Sequence, residues 1–277
     1  MLHVVSRIPG PDSAPDENTE LQLLCAALRV PGERVSPAAA RAAASNIAIT
    51  PQCVCIDAVF LSASLDDLIL QCRPTDLGQT DAERLVELIR ETAAGRLTDV
   101  TLDEHGFGTA TLIDVEPPRG IDPARAYGLS LRRTLLRGRP AALATLDAEL
   151  QMALHNWSGN ARRQAQGQVP INALWIWGAG ESAKLPLPTQ TLPMLASNDA
   201  TLTAFWRLSG SGSTLIDDWR PLVSAASGGV IVPRSDAEFS AVVAALSRRS
   251  RWRSWRTPLR LYNSDFTLLS PSEVIRT

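Results

Sequence analysis

Lysine is almost absent from this 277-residue chain, Lys184 being the only one, so amine chemistry of the Schiff-base kind is excluded everywhere else. The 27 basic residues are therefore nearly all arginine, a bias we read as the codon usage of a GC-rich genome. No apolar run is long enough to span a membrane, and no basic N-terminal region leads into an apolar core and cleavage site. A cytoplasmic protein without membrane contact is expected. Cys25, Cys53, Cys55 and Cys72 lack Cys-x-x-Cys spacing, which favours buried small hydrophobes in a reducing compartment over metal or redox work. There is no Gly-x-Gly-x-x-Gly stretch, phosphate-binding P-loop, internal repeat or low-complexity tract. A net charge of −2 argues against general affinity for nucleic acid.

What remains is an ordinary soluble composition, 45% apolar and 20% charged, with core enough for one large or two ordinary domains. One stretch stands out. From Glu149 to Gly180 the chain is dense in Asn, Arg, His, Trp and Gly. Leu143, Leu146, Leu150, Ala153, Leu154 and Trp157 follow the three-and-four spacing of a helix with one buried face, and Glu149, Gln151 and Asn156 fall off that stripe. Ile171 to Trp177 then reads as a short strand delivering a glycine turn at Gly178.

Elsewhere, strands are expected at Leu2–Ile8, Cys53–Leu61, Leu68–Gln71, Leu202–Leu208 and Gly229–Val232. Hairpins are expected at Val100–Val115, turning at Glu104-His105-Gly106, and between Leu259–Tyr262 and Phe266–Leu269. Helices are expected at Glu17–Val30, after the Ser36-Pro37 cap, and at Thr214–Ala226. The capping boxes Thr80–Glu83 and Ser235–Glu238 each head a further helix, the second with Phe239, Val242, Val243 and Leu246 inward. Pro117 to Pro140 is the least regular part. This alternation predicts an α/β fold with an α+β module inside it.

The motif Glu-x-Gln-Met-x-Leu-His, followed by Asn-x-x-Arg at Asn160 and Arg163 and Asn-x-Leu-Trp-x-Trp-Gly-x-Gly from Asn172, resembles the RpfE-type regulatory proteins of proteobacteria. Those are labelled phosphoglycerate mutase-like, because archaeal-type cofactor-independent phosphoglycerate mutases of the alkaline phosphatase superfamily carry a similar stretch. The resemblance implies a degenerate phosphatase-like layered core formed by residues 1–49 and 166–277, with residues 50–165 as an inserted cap-like module. It also implies a two-metal Asp/His site with a Ser or Thr nucleophile. This chain departs from that pattern. His3, His105 and His155 are its only histidines, none stands in an Asp-x-x-x-His pattern, and Pro9-Gly10-Pro11-Asp12 replaces the Asp-Gly that would open the mutase. No metal and no cofactor are expected, and the protein reads as a catalytically degenerate relative with a regulatory or small-anion-binding role.

The candidate ligand-binding residues are Asn160, Arg163, Asn172, Gly178 and Gly180: an arginine fork, amide donors and a glycine turn are what a phosphate or carboxylate needs. The competing structural reading has Arg163 paired with Glu149 and Asn172 fixing a loop. An alternative enzyme reading uses His155 and Glu149 with Arg163, without metal, on a phosphorylated or carboxylate small molecule. Trp175 and Trp177 share one face of their strand, which favours a core wall. The run Arg248 to Arg256, interleaved with Trp252 and Trp255, is either an interaction surface for an acidic partner or a solvated helix end.

Overall fold

The computed structural model describes residues 1–5, 19–31, 35–63, 67–72, 77–126, 139–180, 187–188, 190–211, 215–224, 228–233, 236–253 and 259–262. The elements begin with β1 (Leu2–Val5), α1 (Glu20–Leu28), α2 (Pro37–Ala44), β2 (Cys53–Ala63), β3 (Leu68–Cys72) and α3 (Gln79–Ala93). Then come β4 (Leu97–Leu102), β5 (Phe107–Leu112), α4 (Pro123–Ala126), α5 (Ala141–His155), α6 (Ser158–Ala165) and β6 (Ala173–Trp177). The rest are β7 (Leu195–Ala196), α7 (Ala200–Trp206), β8 (Leu215–Ile216), α8 (Arg220–Ser224), β9 (Gly229–Ile231), α9 (Asp236–Arg253) and β10 (Leu259–Tyr262).

The chain divides into two compact units. One comprises Met1–Ala14, Glu20–Arg34 and Pro186–Thr277, the other Pro15–Thr19 and Val35–Leu185. The class is mixed α/β, with a parallel sheet in the first unit and an antiparallel one in the second. The second unit is bounded at Val35 and Leu185, against the 50 and 165 expected from sequence, because α2 packs on β2 and β6 pairs with β2.

In the first unit the strand order is β10-β1-β9-β7-β8, every pair parallel. All four β1 residues are buried, His3 among Leu2, Val4 and Val5, as in a parallel interior strand covered on both faces. Trp219 and Leu222 of the α8 region and Phe239 and Val242 of α9 pack on Leu2, Val4 and Ile231. Two sequence expectations need correction here. Leu202–Leu208 is not a strand: Asp199 accepts from Thr201 N (2.9 Å) and Leu202 N (3.1 Å), capping a helix over a run too short for periodicity to decide. Thr214–Ala226 is not one helix, since β8 precedes a five-residue α8 whose start is set by Pro221 and by Asp218 accepting from Arg220 N at 3.0 Å. Leu259–Tyr262 pairs in parallel with β1, while Phe266–Leu269 and Ser235 lie outside the described residues.

In the second unit β2 is the spine. It pairs antiparallel with β5 over Cys53–Asp57, with β6 over Cys55–Val59 and with β3 over Phe60–Ala63. Alternate residues face opposite layers. Val54, Ile56 and Ala58 meet Leu85 and Ile89 of α3 and Leu143, Leu146, Leu150 and Leu154 of α5. Cys53, Cys55 and Val59, with Trp175 and Trp177 of β6, meet Ala38 and Ala42 of α2. The two tryptophans are therefore a core wall.

The Thr80–Glu83 capping box does not form. Gly78, at φ +74°, precedes a helix starting at Gln79, with no side-chain cap. Gln79 Nε2 instead donates to Glu83 Oε1 at 2.8 Å. Among the described residues β4 ends the sheet path, and its pairing with β5 shifts between Thr98 and Thr101 around Asp99 at φ +50°. The Arg90 guanidinium donates to Val100 O at 2.9 Å beside that bulge.

Candidate functional site

The leucine stripe forms α5 as expected, and a turn at Asn156-Trp157 leads directly into α6. Asn160 to Arg163 are thus helical. Asn160 is 8% exposed, and its Nδ2 donates both hydrogens, to Leu154 O (2.8 Å) and Ile171 O (2.7 Å). Its Oδ1 accepts from Ile171 N at 2.8 Å. The amide is fully used in tying the end of α5 to the approach to β6. Arg163, also buried, donates Nε to Val169 O at 2.8 Å, and its own carbonyl accepts from Gln168 N at 2.8 Å. Its Nε and its carbonyl together close the α6–β6 turn.

Asn172 is likewise paired with backbone. Its Oδ1 accepts from Leu61 N at 2.8 Å and its Nδ2 donates to Leu61 O at 2.7 Å, so the side-chain amide adds one rung to the β2–β6 ladder. Gly178, at φ +77°, donates its N–H to Arg119 O at 2.7 Å. Its carbonyl accepts from Ser36 Oγ (2.7 Å) and Ala38 N (3.2 Å). A Cβ on Gly180 would stand 2.5 Å from Ser36 Cβ, so this glycine serves close packing on the start of α2.

The five residues do not converge. Asn160, Arg163 and Asn172 gather where β6 begins, and Gly178 and Gly180 follow its far end, about 20 Å along an extended chain. The sequence reading joined them because helix and strand are close in sequence. The connection leads into the start of the strand, not to its glycine turn.

Glu149 pairs with Arg96, not with Arg163. His155 is exposed on the last turn of α5. The two stand six positions apart on that helix, about 9 Å of rise and roughly 120° apart in direction, so they do not face one another. His105 sits in the β4–β5 turn, where its N–H donates to Asp103 Oδ1 at 2.9 Å. His3 is buried in the first unit, its Nδ1 3.0 Å from the Tyr262 hydroxyl and its ring stacked on that phenol. Burial first, then Arg260 and the N-terminal ammonium, push its pKa down to about 4. Among the described residues no three His, Cys, Asp or Glu side chains gather, and those placed do not fit a two-metal centre. Cys25, Cys53 and Cys55 are buried thiols.

The sequence reading missed a buried ion pair. Asp57 is fully buried within β2 and pairs with Arg41 of α2, itself 4% exposed. Asp57 Oδ2 also accepts from Trp177 Nε1 at 2.9 Å, and the guanidinium lies 5.3 Å from the Phe107 ring centroid and 5.5 Å from that of Trp177. The available signal was a lone carboxylate inside the apolar run Cys53–Phe60, which must find a cation to be tolerated there. Of the Arg248–Arg256 run, α9 extends through Arg253, Arg248 is exposed, and the remaining side chains lie outside the described residues.

No family model matches the chain, and no curated protein does. Two solved structures are similar in overall course. The PH0037 protein from Pyrococcus horikoshii aligns at TM-score 0.43 and 12% identity over 92% of this chain and 70% of its own. A cofactor-independent phosphoglycerate mutase from Thermoplasma acidophilum aligns at TM-score 0.40 and 13% identity over 99% of this chain and 94% of its own. Likenesses this distant carry no activity to the present chain.

Proposed function

We propose that this chain is a catalytically degenerate phosphoglycerate mutase-like protein of RpfE type, serving a regulatory or binding role instead of turning over a phosphorylated substrate. The observation that carries the reading is the use of the motif's polar groups. The side chains of Asn160 and Asn172 and the Arg163 Nε, which most resemble substrate-binding groups in sequence, are hydrogen-bonded to the protein's own backbone. Their role is to hold α5, α6 and β6 in register with β2. The carboxylate nearest them in sequence, Glu149, is paired with Arg96. A small phosphorylated or carboxylate ligand remains part of the proposal, bound by groups other than this set.

The test is direct. Purified protein supplied with manganese and 3-phosphoglycerate should give no 2-phosphoglycerate above the rate without protein. Stoichiometric tightly bound metal together with turnover would overturn the reading. Thermal shifts measured with inorganic phosphate and with 3-phosphoglycerate read out binding independently of catalysis.

A further inference from the structure

We draw no further inference here: the strongest candidate, the open cavity of about 600 Å³ that Asp217, Asp218, Trp219, Arg220 and Glu238 line between the β8–α8 connection and the start of α9, is a surface cluster of acidic side chains whose Arg220 already pairs with Asp218, and nothing among the described residues shows what would fill it.

Discussion

Replacing Asn160 with alanine separates a structural from a ligand-binding role in one experiment. The substitution strands three backbone groups: the Leu154 and Ile171 carbonyls and the Ile171 N–H. They are not equivalent. Leu154 O keeps Trp157 N as a donor at 3.2 Å and loses little. The weight falls on Ile171, whose residue is fully buried and whose N–H and carbonyl both lose the side chain that paired them. At about 1–3 kcal/mol for each buried group left unsatisfied, Asn160→Ala should cost about 2–4 kcal/mol. For a domain of this size that is a fall in melting temperature of about 5–15 °C. Asn160→Asp should be worse than alanine at neutral pH, because a carboxylate can accept from Ile171 N but sets negative charge against two carbonyls at hydrogen-bonding distance. The assay is thermal unfolding followed by tryptophan emission, alongside titration with inorganic phosphate. An Asn160→Ala protein melting within about 2 °C of the parent would refute the reasoning, doubly so if its phosphate affinity fell.

Three further outcomes are expected. Arg163→Ala should lower stability by about 1–3 kcal/mol, through the unpaired Val169 carbonyl and lost packing, without changing phosphate binding; isothermal titration of both proteins checks it. Asp57→Ala should cost about 3–5 kcal/mol by leaving Arg41 charged in the core without this carboxylate, and the paired change Arg41→Met with Asp57→Leu should recover much of that in denaturant unfolding. His3 has a folded pKa of about 4 against 6.5 unfolded, so the unfolded chain takes up the proton first. The stability of the first unit should therefore be complete above pH 6.5 and fall toward pH 4 by at most about 3 kcal/mol, and His3→Phe should flatten that slope in unfolding midpoints taken at pH 4.5 and 7.5.

Much of the second unit was legible in the sequence. The leucine spacing of α5, the β4–β5 hairpin and the Ser36 cap each follow from a local rule that the tertiary structure had no reason to override. The first unit was harder, because its strands of two or three residues leave no periodicity to read, and β7 went unseen. The setting of the candidate site residues was hidden for a different reason. Sequence identifies residues that can recognise an anion, but a side-chain amide bonded to backbone and one awaiting a ligand are the same letter. What decides between them is the partner, and for Asn172 that partner is Leu61, 111 residues away. Asp57 shows the converse: a carboxylate in an apolar run was informative, yet naming Arg41 as its cation required the packing of α2 on β2.

The finish of β4 bears on how this protein behaves when crowded. A strand at the end of a sheet is a template on which another chain can extend the ladder, the first step toward amyloid-like stacking. Here an incoming chain would meet a kink at Asp99 where it needs a straight run, and a guanidinium already seated on the Val100 carbonyl it would have to capture. Self-templating along this border would require flattening the bulge and evicting Arg90, so the same few residues that complete the sheet also keep it from growing.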